Sequence, residues 1–370
     1  MRNRKRIIRR TALAVLLITV WSTQAVSALG AFYARSVYPV VAWTLSGFSN
    51  LFPFGIGDVF IGLSLAGLIA YPFYGRLRKQ KDSWKRIGLR EGEYLLWVYV
   101  WFYLAWGLNY SQPNFYQRTG IAYTPYNEAD FHAFANEYID SLNTAYIPIE
   151  RTPKEEVSQE VPRMYGLLAD SLGIHRPPHA NLRAKTMLYT PLASKVGVTG
   201  SMGPFFCEFT LNGDVLPANY PATYAHELAH LLGISSEAEA NFYAYQICTR
   251  SADPEIRFSG YFFVLSYVLN NAYRLLPKAE YETLLARVRP EVIALAKQTQ
   301  AYWAAKYSPL IGSAQNWLYD LYLKGNKIAD GRKNYSQVVG LLMSYRERKR
   351  GITTAPSAPA ATSLHNRKED

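Results

Sequence analysis

One short segment of the sequence has residue types and spacing that could do chemistry: His226-Glu227-Leu228-Ala229-His230. On a helix, residues four apart lie on one face, so both imidazoles can reach a single metal ion. Glu227 is turned about 100° from that face and would meet a metal-held water from the side. A zinc ion brings the pKa of such a water close to neutral, and Glu227 is placed to accept its proton. Pro221 suits a helix start and Gly233 the position just past a helix end, which predicts a helix over 221–232. By average composition, a His-Glu-x-x-His string arises by chance in roughly one chain of this length in a hundred. The string suggests a metal site, and its surroundings must support it.

A zinc site of this kind needs a third protein ligand. Two carboxylates follow at the start of the next helix, Glu237 and Glu239. Ser236 with Glu239 fits a capping box, which would occupy Glu239 in holding the helix start. Glu237 has no such duty, and it follows His230 by seven positions, enough for the chain to turn at Gly233 and return. Asn241 lies one turn beyond Glu237 on the same face. Glu237 is the stronger candidate and Glu239 the other. Both acids would also suit the positive end of a helix dipole without any metal.

The elements that must position these groups read as mainly helical with a small β-sheet. Asn127 opens a periodic segment reaching Ala145. Thr152, Pro153 and Glu155 read as the capping box and first-turn proline of another. Lys185–Thr190 and Phe205–Leu211 look like strands, separated by a glycine-rich loop from Gly197 to Gly203. Helices are expected at 221–232, 237–250, 256–275, 278–305, 313–324 and 334–346. From Gly351 onward the Ala/Pro/Ser/Thr mixture reads as a disordered tail.

The formal charge of +12 first suggests a nucleic-acid partner. Its distribution argues against one: residues 1–90 hold 14 Lys/Arg against only Asp58 and Asp82, and the remainder is balanced at 26 of each sign. No surplus is left for a basic face on the folded body. The excess lies between uncharged runs, Thr11–Ala34, Val59–Gly75 and Tyr94–Tyr110, which predict membrane spans at about 11–34, 56–75 and 93–110. Arg76 to Arg90 forms a strongly basic loop, whereas Arg35 stands alone on the other side. The positive-inside rule then puts the N-terminus and that loop in the cytoplasm and residues 111–350 outside it. A signal peptide cleaved near Val26-Ser27-Ala28 is the competing reading of the first run and leaves that orientation unchanged.

His226-Glu227-x-x-His230 followed by Glu237-x-x-Ala240-Asn241 resembles the gluzincin branch of the zincin metallopeptidases. That resemblance implies one zinc ion held by His226, His230 and Glu237, Glu227 as general base, and Asn241 steadying a ligating histidine. The spacing departs from it, since the gap before the glutamate is shorter than gluzincins usually have. The short gap with Gly233 is similar to the metzincin turn, although Ser236 stands at that family's third-ligand position. Over most of the chain, Trp106-Gly107-Leu108-Asn109-Tyr110, Glu208-Phe209-Thr210-Leu211-Asn212, Ser259-Gly260-Tyr261 and Tyr322-Leu323-Lys324-Gly325-Asn326 resemble an uncharacterised family of bacterial membrane proteins, the domain-of-unknown-function 3810 family. It implies no activity, only that the spans and the zincin-like domain form one unit.

Weaker signals complete the reading. Phe205–Asn212 could be an edge strand that pairs with an extended substrate. Tyr261 and Arg257 are conceivable oxyanion stabilisers. His132, His175, His179 and His365 have no ligand-like spacing. Cys207 and Cys248 could form a disulfide outside the cytoplasm, while two cysteines exclude a Cys-rich zinc module. The expectation is a three-helix transmembrane region over 1–110, a zincin-like α+β extracytoplasmic domain over 111–350, and a tail over 351–370. Its function would be hydrolysis of a peptide or protein substrate at the membrane by a zinc-bound water. The alternative is an inactive zincin-fold sensor or binding protein. Oligomeric state is not legible.

Overall fold

The structure, a computed structural model, describes residues 2–77, 82–313 and 337–351. The expected helix at 313–324 lies outside the described residues beyond Ser313, as do the tail after Gly351 and His365.

Helix α1 (Arg2–Ala25) ends earlier than its apolar run. Val26 is extended, and the chain continues as α2 (Ser27–Phe32), one π-helical turn (Tyr33–Val37) and α3 (Tyr38–Ser49), bent 100° from α1. Hydropathy carries no sign of this bend, because a contact remote in sequence accompanies it. Gly30 packs so closely on the 3₁₀ turn Gly107–Ser111 that a Cβ there would lie 2.3 Å from the Ser111 carbonyl oxygen. The first expected span is therefore not a straight helix through Ala34.

Helices α4 (Ile56–Leu77) and α5 (Trp84–Ala105) follow, α5 being capped by Ser83, whose hydroxyl accepts the Arg86 N–H. Arg9 meets Glu93 at 2.6 Å and Trp21 meets Tyr99 at 3.2 Å, so α1 and α5 run parallel. Arg90 meets Tyr71 and Ser64 meets Tyr94, both at 2.6 Å, so α4 runs antiparallel to them. The basic ends of all three helices thus lie together. Among the described residues, α4 alone is long and apolar enough to cross a membrane, and Arg4–Ala25 with Ser27–Ser49 qualifies only as a bent pair. The third expected span is not among them. Lys85, Arg86, Arg90, Glu91 and Glu93 occupy the first half of α5, and its helix stops at Ala105.

The remaining chain is helical around one small sheet: α6 (Phe115–Thr119), α7 (Glu128–Ala145), α8 (Lys154–Leu172), β1 (Lys185–Thr186), α9 (Thr190–Ser194), β2 (Gly200–Gly203), β3 (Glu208–Leu211), α10 (Tyr220–Leu231), α11 (Glu237–Cys248), α12 (Pro254–Leu275), α13 (Lys278–Ala286), α14 (Pro290–Lys306) and α15 (Val338–Lys349). Asn127 and Asp130 form a reciprocal capping box at α7. The box expected at α8 does not form; Pro153 takes the cap position and no side chain caps the helix. Pro290 splits the expected 278–305 helix into α13 and α14.

Strand order is β1-β3-β2, with β1 parallel to β3 (Lys185 opposite Thr210) and β2 antiparallel to it (Met202 opposite Phe209). The segment expected to be a glycine-rich loop contains the edge strand β2, and β3 is the central strand. Phe205–Asn212 is thus not the sheet edge. The core packs α10 against α8, α11 and α12. Ala238, Ala240, Phe242, Ala244 and Ile247 leave almost no face of α11 exposed, as befits a central helix.

Candidate metal centre

The C-terminal end of α10 sets the geometry of the site. Gly233, at φ +95°, adopts the left-handed conformation that glycine tolerates. Its N–H bonds to the His230 carbonyl at 3.0 Å and the Ile234 N–H to the Ala229 carbonyl at 3.1 Å, which is a Schellman motif. That turn carries the Ile234 carbonyl back to His230 Nδ1, at 2.6 Å. His230 therefore holds its proton on Nδ1 and presents a lone pair on Nε2, as a metal-ligating histidine does.

His230 Nε2 lies 3.1 Å from His226 Nε2, and Glu237 Oε2 lies 3.2 Å from His226 Nε2 and 3.7 Å from His230 Nε2. Donors held about 2.0–2.1 Å from a tetrahedral zinc ion stand about 3.3–3.4 Å apart. The three side chains match that triangle and could hold a metal ion. Their charge suits a cation as well. Burial opposes a second proton on His230, yet the adjacent Glu237 carboxylate raises its pKa to about 9, so without a metal Nε2 is protonated and a bound cation would take the place of that proton. Burial likewise opposes the charge of Glu237, but the two imidazoles hold it well below the usual carboxylate range.

Glu227 is 5% exposed and does not belong to the triangle. Burial raises its pKa, opposed by the two imidazoles and by the Met202 N–H that it accepts from β2. Gly200 permits this approach, since a Cβ there would stand 2.5 Å from Glu227 Oε1. Glu239 points elsewhere. It is paired with Arg118 and accepts the Phe115 N–H at 3.2 Å. Only half of its expected capping box exists: Ser236 accepts the Glu239 N–H, while the Glu239 carboxylate serves Arg118.

Other expected groups fall into place differently. Asn241 lines the cleft and donates to the Tyr267 hydroxyl at 3.4 Å; among the described residues it makes no hydrogen bond to either histidine. His226 Nδ1 is buried without a partner among the described residues. Tyr261 packs against Tyr138 and Tyr245, away from the cleft, and Arg257 bonds to the Ser251 carbonyl. The tyrosine that lines the cleft from α12 is Tyr267, with Phe263 beside it. With 29 tyrosines in the chain, composition could not have singled it out. Cys207 and Cys248 are both buried and free, so the expected disulfide is absent. Cys207 packs among the N-terminal aromatic residues, whereas Cys248 faces the Pro221 carbonyl.

The cleft has a volume of about 560 Å³, and its walls come from both parts of the chain. Trp106 and Tyr110 form one side, the 196–202 segment another. The N-terminal region also caps α10. The Trp106 indole donates to the His230 carbonyl at 2.8 Å, the Tyr38 hydroxyl to the Leu231 carbonyl at 2.6 Å, and the Gln112 amide to the Gly233 carbonyl at 2.5 Å. His175 and His179, which sequence left without a role, bond to the Ala34 and Trp43 carbonyls and help to fix the π-helical turn and α3 to this body. A family model described as a protein of unknown function (DUF3810) matches residues 33–343, which leaves out α1 and α2 and takes in α3 to α5 and the candidate metal centre. The chain belongs to the DUF3810 family. No curated protein and no solved structure matches it. The DUF3810 match begins at the π-helical turn and runs into α15, so it takes in Tyr38 and Trp106 together with the three side chains that could hold a metal ion.

Proposed function

We propose that this DUF3810 protein is a membrane-anchored zinc metallopeptidase. The carrying observation is the triangle of His226, His230 and Glu237 with the buried carboxylate of Glu227 beside it. Two histidines and one carboxylate with an open fourth position are the donor set of catalytic zinc, and one ion per chain would fill it. When bound, zinc supplies Lewis acidity, polarising a carbonyl and lowering the pKa of water.

The chain's own groups then divide the work. Glu227, raised in pKa by burial, takes the proton of the attacking water and returns it to the leaving amine. The outer edge of β2 borders the cleft, and an extended peptide can add to it as a further strand. Tyr267 and Tyr110 present hydroxyl-bearing rings to the same space. The domain packs against the Ile56 end of α4, remote from the basic ends; by the positive-inside rule that end is extracytoplasmic.

Glu227→Gln tests the mechanism. It preserves shape and removes basicity, so zinc content should be unchanged and cleavage of a peptide library should fall by at least about a hundredfold. Equal cleavage by both proteins would exclude Glu227 from the reaction. No cleavage by either, with zinc bound, would leave a zincin-fold sensor as the better reading.

A further inference from the structure

We propose that Ser27–Ser49 is an interfacial helix, lying in the plane of the bilayer surface beneath the metal centre and not crossing the membrane. The inference rests on the membrane reading of α4 given above and adds where the cleft stands relative to the lipid.

Three observations carry it. The first is direction. The segment is bent 100° from α1, and α1 runs alongside α5, which runs alongside α4. A helix at that angle to the span α4 lies in the membrane plane. The second is the face it buries. Ala34, Tyr38, Ala42, Ser46 and Ser49 are buried at near-helical spacing. The carbonyls of Ala34, Trp43 and Ser49 receive His175, His179 and Lys185 from the metal domain. The third is the face it leaves open: Phe32 at 55% exposure, Val40 at 64%, Trp43 at 59% and Phe48 at 48%, continued by Leu51 at 76%. The segment holds no acidic residue, and Arg35 is its only charge. An apolar face with a tryptophan, backed by a domain and adjoining a span, suits the boundary between headgroups and acyl chains.

The consequence concerns substrate. Tyr38 on this helix holds the Leu231 carbonyl at the end of α10. One helix diameter, about 10–12 Å, therefore separates that end of the metal-binding helix from the lipid. A cleft fixed at that height suits peptide bonds in the juxtamembrane stretches of membrane-anchored proteins.

Depth-dependent quenching tests the placement. The full chain, with Cys207 and Cys248 replaced by alanine, would carry a single cysteine at Val40, Leu65 or Leu167, labelled with an environment-sensitive fluorophore. It would be reconstituted in phosphatidylcholine–phosphatidylglycerol vesicles containing lipids spin-labelled near the top or the middle of the acyl chain. The Val40 label should be quenched severalfold more by the shallow lipid, the Leu65 label on α4 more by the deep one, and the Leu167 label on α8 by neither. Deep quenching at Val40 would make the segment part of a broken span and overturn the proposal. A Val40 label untouched by either lipid while Leu65 is quenched would show water or protein on that face, and would overturn it with the membrane reading intact. No quenching at Leu65 would defeat both.

Discussion

Lys185 and Glu208 form a buried ion pair, 2.5 Å apart, at the junction between the sheet and the N-terminal helices. Each partner also serves a helix end: Lys185 Nζ donates to the Ser49 carbonyl at the close of α3, and Glu208 Oε1 accepts the Gly57 N–H at the opening of α4. The cation thus meets a negative helix end and the anion a positive one, which compensates part of the desolvation cost.

Removing one partner leaves the other charge buried without compensation. Glu208→Gln should therefore destabilise the protein by about 3–5 kcal/mol. Lys185→Met combined with Glu208→Leu should cost much less, because no lone charge remains. Thermal unfolding of the detergent-solubilised variants compares them. If Glu208→Gln melted with the parent protein, the pair would not be what holds the sheet to the turn between α3 and α4.

The two acids at the start of α11 should separate cleanly. Glu237→Ala, like His226→Ala or His230→Ala, should lose zinc, since two remaining protein ligands rarely hold it tightly. Glu239→Ala should keep one zinc per chain but lose stability, by about 3 kcal/mol or more, because Arg118 is left nearly buried without its partner. Metal analysis with a melting curve reads both. Zinc lost from the Glu239 variant and kept in the Glu237 variant would reverse the assignment.

The α10 helix was legible because local chemistry and tertiary demand agree there. Pro221 and Gly233 mark its ends in sequence, and Gly233 is required in the structure both for its left-handed turn and for the Tyr38 ring, 3.0 Å from where a Cβ would sit. Glu237 was legible for a related reason: Ser236 fixes where α11 begins and thus which way its first residues face. The other features depend on partners far along the chain. The bend at Val26 accompanies the approach of Gly30 to Ser111, and β2 is glycine-rich because Glu227 occupies the space beside Gly200. Read locally, those glycines signal only a loop. Tyr267 was hidden for the opposite reason, since a residue type so frequent in the chain marks no position.

Trp106 offers a test of whether the N-terminal region is part of the metal centre. Its indole holds the backbone carbonyl of His230, and its ring also lines the cleft. Trp106→Phe keeps most of the bulk and removes the donor. Outer groups that orient metal ligands typically contribute 10–100-fold in affinity, so zinc should bind about tenfold more weakly, as measured by competition with a chromogenic chelator. Unchanged affinity would mean that α10 holds its ligands without help from this region.

Gly200 yields the sharpest mechanistic prediction, because the atoms nearest to an added Cβ there all belong to Glu227, the proposed base. His226 and His230 come from α10 and Glu237 from α11, whereas Gly200 belongs to β2. An added methyl would overlap the Glu227 carboxylate, at 2.5 Å from Oε1 and 2.8 Å from Cδ, so either the side chain or the strand must move. A displacement of about 1 Å at a reacting group can cost about a hundredfold in rate. Gly200→Ala should therefore keep its zinc and lose about that much peptide hydrolysis, while Ser201→Ala, next to it on an exposed position, should behave as the parent. The two substitutions at the base should not add. In a Glu227→Gln background, Gly200→Ala should cause little further loss, since both act through the same carboxylate. A full additional hundredfold loss in that double variant would show that β2 contributes through substrate pairing and not by positioning Glu227.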